Sequence, residues 1–161
     1  TAALVQQSVF YVERDKKRLL LKHILKSKTV ENALIFTRTK RGADKVAKEL
    51  VKDGIKAEAI HGNKSQGARE RALKGFKNHS IRVLVATDIA SRGIDVDKLS
   101  HVINFEIPEV AETYVHRIGR TGRAGTSGIA LSFCSNEEKP YFKDITKLIK
   151  KNIEVSTHPF S

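Results

Sequence analysis

Three arginines, Arg117, Arg120 and Arg123, recur at three-residue intervals in the stretch Tyr-Val-His-Arg-Ile-Gly-Arg-Thr-Gly-Arg, Tyr114–Arg123. Gly119 and Gly122 lie between them, and Gly125 and Gly128 continue the spacing. A guanidinium is always charged and presents a planar fork of donors that fits phosphate oxygens. Glycine lets the backbone turn sharply or approach a ligand closely. The combination suits the charge that develops on a phosphoryl group during transfer. A solvated basic helix end also contains arginines, but two Gly–Arg steps and a third arginine in one short stretch favour phosphate chemistry.

Absences narrow that chemistry. The chain has no Gly-x-x-x-x-Gly-Lys-Ser/Thr, the loop that grips a β-phosphate and places Mg2+. Asn63-Lys64-Ser65 resembles its end but lacks the glycine before the lysine. The Gly119–Gly128 series follows a predicted helix instead of opening one after a strand, so it is not a dinucleotide fingerprint. The six His residues lack metal-ligand spacing and Cys134 has no cysteine partner, so no metal site is expected. Gly-x-Ser-x-Gly is also missing. What remains is half of a phosphoryl-transfer site, the finger without the cradle.

The elements that position these residues fit one domain, 1–161, with an ordered core expected over about 8–152. Hydrophobic residues make up 40% of the 161 and charged residues 30%, a globular composition. No apolar run reaches the length of a membrane span, and the first residues do not form a signal peptide. The chain contains no Met, so it is expected to be an excised fragment or a processed chain. Thirty Lys and Arg against 18 Asp and Glu give a net charge of +12, which favours a polyanionic partner such as nucleic acid. The lone Cys134 excludes an internal disulfide, fits a reducing, cytoplasmic setting and is expected as a buried core thiol.

Hydrophobic periodicity predicts strands over Val9–Val12, Ala33–Thr37, Lys56–Ile60, Arg82–Thr87, His101–Phe105 and Gly128–Cys134. Helices are predicted between them. One is capped by Asp15 and turns Leu19, Leu20, Ile24 and Leu25 inward; one is capped by Thr39 and stopped by Gly54; one is capped by Ser65. Another spans about Val110–Ile118. A last one, capped by Asn136, turns Tyr141, Phe142, Ile145, Leu148 and Ile149 inward. Ser156–Ser161 is expected to fray. Alternating strands and helices, with continuously apolar central strands, predict an α/β fold: an open, mostly parallel sheet with helices on both faces.

In such sheets ligands sit outside the carboxyl ends of the strands. Arg38–Arg41 follow one strand; His61, Gly62, Gln66 and Arg69 follow the next. Thr87, Asp88, Ser91, Arg92, Gly93 and Asp95 follow a third, and Glu106 with the arginine-rich helix follows a fourth. Hydroxyls, glycines, cations and a few carboxylates therefore converge on one edge.

These residues resemble the second RecA-like domain of DEAD-box RNA helicases over about Val9–Lys151. Leu34–Lys40 resembles motif IV, Gln66-x-x-Arg69 motif IVa, Ala86–Asp95 motif V and His116–Arg123 motif VI. Ser91 stands where Ala is commoner, and Glu106 where Asp is. The resemblance implies a RecA-like fold and the C-terminal half of an ATP-dependent RNA helicase. It implies Arg120 and Arg123 as arginine fingers on the γ-phosphate, and Gly93 and Asp95 beside the ATP ribose. Arg92, His116 and Arg117 would couple the ATP and RNA sites, and Thr39, Gly62, Gln66, Arg69 and Thr87 would hold RNA through its sugar-phosphate chain. ATP and Mg2+ would act in the full-length enzyme, with the Mg2+ held by an N-terminal RecA-like domain that this chain lacks. The implied partners are RNA and that domain, with no membrane; the isolated domain would be a monomer and inactive. A non-catalytic RNA-binding module and a DNA helicase of the same superfamily remain alternatives.

Overall fold

Val83–Ala86 is apolar at every position, and all four residues are fully buried because both faces of their strand are covered. The computed structural model describes residues 5–94, 96, 99–122, 127–151 and 153–160. In chain order the elements are β1 (Val5–Tyr11), α1 (Lys17–Leu25), β2 (Ala33–Phe36), α2 (Lys40–Lys52), β3 (Ala57–Ile60) and α3 (Gln66–Lys77). Then come β4 (Val83–Ala86), β5 (His101–Asn104), α4 (Ala111–Ile118), β6 (Gly128–Cys134), α5 (Lys139–Ile149) and β7 (Glu154–Val155). The described strands form one seven-stranded sheet in the order β3-β4-β2-β5-β6-β1-β7. Every pairing in it is parallel.

Strand alternation divides the core. Ala33 and Ile35 of β2, with Val83 and Val85 of β4, face Leu20, Leu21, Ala43, Val46 and Leu50 of α1 and α2. Leu34, Phe36, Leu84 and Ala86 face Ala72 and Phe76 of α3 on the other side. Tyr114 and Ile118 of α4 pack with Phe142 and Ile145 of α5 against β1 and β6. Thus α1 and α2 cover one face, and α3, α4 and α5 the other. No helix among the described residues is long and apolar enough to cross a membrane.

Thr39 and Ser65 cap their helices as expected: Thr39 Oγ1 accepts from the Gly42 N–H and Ser65 Oγ from the Ala68 N–H. Gly54 follows α2 with φ 84°. Other expectations need correction. β1 begins at Val5, not Val9. Asp15 does not cap α1; it lies inside a 3-10 turn, Arg14–Lys16, that leads into the helix. The inward face of α1 is Leu20, Leu21, Ile24 and Leu25 at ordinary helical spacing, which leaves Leu19 on the far side, 43% exposed. Ser135, not Asn136, starts the last helical segment, in a reciprocal capping box with Glu138. Leu148 faces solvent.

The expected frayed end is docked instead. Glu154–Val155 pair with Ser8–Val9, the Ser156 N–H donates to Val9 O, and His158 Nε2 lies 2.7 Å from Tyr11 O. Phe160 packs onto the α1 side of the core, edge-on to His23. Short polar composition at a chain end predicts fraying only where no apolar or aromatic group finds a surface, and here Phe160 finds one.

Candidate nucleotide and nucleic-acid edge

Parallel register brings the carboxyl ends of β2, β3, β4 and β5 to one edge, since Phe36 pairs with both Ala86 and Asn104, and Ile60 with Ala86. The chain leaves β2 towards α2 on one face and leaves β4 and β5 towards the other, so the edge opens at a topological switch point.

The centre of this edge is the turn that follows β4. It is tightly wound: the Ser91 N–H donates to Thr87 O, Ser91 Oγ to Asp88 O, and the Ile94 N–H to Ser91 O. Gly93 has φ 77°, a left-handed conformation that favours glycine, and a Cβ there would meet nothing within 4 Å. Gly93 is therefore set by backbone shape, with open space before it.

Three arginines from two other elements grip this turn. Arg69, in the first turn of α3, donates to Ala90 O at 2.5 Å and to Arg92 O at 3.0 Å. Arg117, near the end of α4, is 2% exposed. Its Nε and Nη2 lie 2.6 and 2.8 Å from the two carboxylate oxygens of Asp88. Its Nη1 donates to Asn104 Oδ1 and Glu106 O, and its guanidinium stacks over Phe36 at 5.1 Å. Arg120, half-buried just beyond α4, donates from Nη1 to Ile94 O at 3.1 Å. Thr121 donates to Leu99 O, and a Cβ at Gly128 would collide with Thr121 and Gly122, so these two residues pack directly against the start of β6.

Sequence-predicted residues thus fall into two groups. Arg69, Thr87, Arg92, Gly93, Arg117 and Arg120 meet at the turn after β4. Thr39, at the N-cap of α2, and Gly62, after β3, are exposed further along the same edge. Gln66 is exposed and donates to Glu70 Oε1. His116 is exposed on α4, beside buried Arg117. Asp95 and Arg123 lie outside the described residues.

Neighbouring charges are largely committed. Arg38 turns away from the opening: Nε and Nη2 donate to Ile107 O, and Nη2 also meets Glu138 Oε2 at 3.0 Å. Glu138 is buried and accepts from the Ile107 and Ser135 N–H groups and from Lys17. Burial pushes its carboxyl up, but Lys17 and those N–H donors outweigh that and hold it below the usual carboxylate range. Burial pulls the Lys17 ammonium down, against the opposing pull of Glu138. With that many donors on one carboxylate, the ionised pair is the neutral-pH state.

Buried His61 places Nε2 2.8 Å from Asp44 Oδ2. Its Nδ1 accepts from the Asn63 N–H, which leaves Nε2 to face the carboxylate. Burial raises the Asp44 carboxyl, but His61 and Lys64 outweigh it and hold it low. Cys134 is buried, and burial pushes its thiol up to about 11, away from nucleophilic chemistry. No cluster of three or more His, Cys, Asp or Glu among the described residues suits a metal ion.

Sequence reasoning placed Asp88 at this edge without a role, and it gave Asn104 none. The signal for Asn104 is a polar residue closing an otherwise apolar strand; it bridges Arg117 and Ser132.

Comparison with known proteins agrees with this geometry. The helicase conserved C-terminal domain model matches residues 15–125. The DEAD-box ATP-dependent RNA helicase CshA of Bacillus subtilis is 42% identical over 99% of this chain and 32% of its own length. The chain spans only 20% to 32% of such curated relatives. The E. coli DEAD-box protein SrmB, solved bound to regulator of ribonuclease activity A, superimposes with a TM-score of 0.90 at 34% identity, covering 94% of this chain and 90% of that one. S. cerevisiae Dbp5, solved bound to RNA and ADP BeF3, gives a TM-score of 0.86 at 29% identity over 97% of this chain and 42% of that one. With a RecA-like parallel sheet, an arginine-gripped turn and these relatives, the chain belongs to the helicase conserved C-terminal domain family, in its DEAD-box branch.

Proposed function

We propose that this chain is the C-terminal half of an ATP-dependent RNA helicase, which acts when a phosphate-loop domain closes against its carboxyl edge. The observation that carries this reading is Arg120. It is half-buried at the edge, and the Ile94 carbonyl orients it through one nitrogen, which leaves further donors for a phosphate. Arg120 and Arg123 would face the γ-phosphate, and Gly93 and Asp95 the nucleotide ribose. ATP would supply the phosphoryl group, with Mg2+ held by the other domain. Arg92 and His116, both exposed, would pair across the closed cleft. Arg117 is too deeply buried to cross a cleft; it would couple the sites by locking α4 to the turn after β4. Thr39, Gly62, Gln66 and Thr87 would take RNA phosphates and sugars without reading bases. Arg69 would combine a phosphate contact with its hold on the turn. The likeness to Dbp5 bound to RNA and ADP BeF3 supports both ligands. A cytoplasmic setting suits the unpaired Cys134, and the isolated chain would be a monomer.

The test uses the purified chain. It is expected to hydrolyse no ATP and to bind single-stranded RNA weakly, with affinity that falls steeply with salt. Arg69→Ala should weaken all sequences equally. RNA-stimulated ATP turnover by the chain alone would overturn the two-domain reading, and a strong sequence preference that persists at high salt would overturn backbone recognition.

A further inference from the structure

α2 turns Ala43, Val46, Ala47 and Leu50 into the core. At about 100° per residue, Arg41, Lys45, Lys48 and Lys52 then form one row on the opposite side of the helix. All four are exposed, and none makes an ion pair or hydrogen bond with a described residue. The acids of the helix and its C-cap are committed elsewhere: Asp44 to His61 and Lys64, Glu49 to Arg18, Asp53 to Lys22. The row therefore has no ion pair of its own among the described residues.

Within the domain this arrangement is unfavourable. Like charges three and four residues apart repel along a helix. Lys40 and Arg41 also sit in a first turn that contains no acid, against the helix dipole. Asp44 and Glu49 lie three or four residues from members of the row and offset part of the repulsion, but their carboxylates form ion pairs with His61, Lys64 and Arg18. The row begins two residues after Thr39, at the edge assigned to RNA, and runs about 16 Å away from it at the helical rise.

We propose that the Arg41–Lys45–Lys48–Lys52 row is a further RNA-binding surface, which takes the phosphates of a single strand as it leaves the carboxyl edge. The inference rests on the RNA reading of that edge. Beside the row, α2 exposes a single large apolar residue, Val51, whereas a protein partner would need an apolar centre to its interface. A net charge of +12 adds attraction for a polyanion. Lysine and arginine contacts to phosphate carry no base identity, so the surface extends the footprint and not the specificity.

The experiment measures binding of oligouridine of about 5 and about 15 nucleotides to the chain across a salt series, by fluorescence anisotropy. The variant Arg41→Gln/Lys45→Gln/Lys48→Gln/Lys52→Gln is expected to lose roughly tenfold or more affinity for the long strand. Its salt slope should fall by about 0.7 for each lost phosphate contact. The short strand should bind as before, and Lys→Arg at 45, 48 and 52 should preserve binding. The glutamine variant should melt no lower than the parent, since repulsion has been removed. Unchanged long-strand affinity and slope, with Arg69→Ala still weakening both lengths, would overturn the row while leaving the RNA edge intact. Failure of the parent chain to bind either length at low salt would overturn both. Loss of poly-glutamate binding without loss of RNA binding would overturn the proposal in favour of an acidic protein partner.

Discussion

Asp88→Asn removes the carboxylate that faces Arg117 while keeping the size of the side chain. The Arg117 guanidinium is almost dry, but the Asp88 side chain is 38% exposed. Removing one partner of a wholly buried ion pair costs about 3–5 kcal/mol, and an exposed pair contributes about 0–1 kcal/mol. The geometry lies between these limits, and Asn104 Oδ1 and Glu106 O still accept from Arg117. The expected loss is about 2 kcal/mol, or roughly 4–8 °C in Tm for a chain of this size. Arg117→Met strands those two acceptors and should cost about 2–4 kcal/mol. Urea unfolding of both single variants and the double variant completes the cycle, with an expected coupling of about 1–2 kcal/mol. A loss below about 0.5 kcal/mol for Asp88→Asn, or strictly additive effects, would refute the claim that this pair locks α4 to the turn.

Leu84→Asp should abolish cooperative folding, because an unpaired carboxylate inside β4 costs several kcal/mol or more; a soluble variant with a sharp melt would remove β4 from the sheet interior. Glu138 has a depressed folded-state pKa, so its contribution is complete above the ordinary glutamate value, about pH 4.3, and disappears as pH falls through the lower folded value. Glu138→Gln should therefore be less stable near neutral pH and show a flatter acid limb in urea midpoints; an acid limb as steep as the parent's would contradict the assignment.

The alternation of strand and helix could be read from the sequence because its cause is local. Continuous apolar runs such as Val83–Ala86 and Ala33–Phe36 occur where both faces of a strand are covered, and Thr39 and Ser65 cap the helices that follow. The convergence of the polar loops followed from topology alone. Two errors were also local: Ser135-x-x-Glu138 is a capping-box pattern, and Leu20, Leu21, Ile24 and Leu25 carry the helical spacing that puts Leu19 on the far side of α1. What could not be read was long-range. Nothing near Arg69 reveals that its donors reach the Ala90 and Arg92 carbonyls, and nothing near Arg117 reveals Asp88 and Asn104. One arginine motif therefore divides into a buried residue that locks and an accessible residue that can act. That division depends on which side of α4 meets the sheet.

The most direct test of the central claim is steady-state ATPase of Arg120→Lys in the proposed two-domain protein, at saturating RNA, beside nucleotide and RNA affinities. An interaction made mainly in the transition state lowers kcat with less effect on ground-state binding. Arginine fingers are worth on the order of 10³–10⁵ in rate, and the proposed sharing with Arg123 would reduce the expected loss to roughly 10–10³-fold. Lysine should rescue poorly because it lacks the planar fork. A kcat that falls in that range with affinities nearly unchanged is the predicted result, and a near-normal kcat would contradict the account and leave Arg120 as a brace for the Ile94 carbonyl.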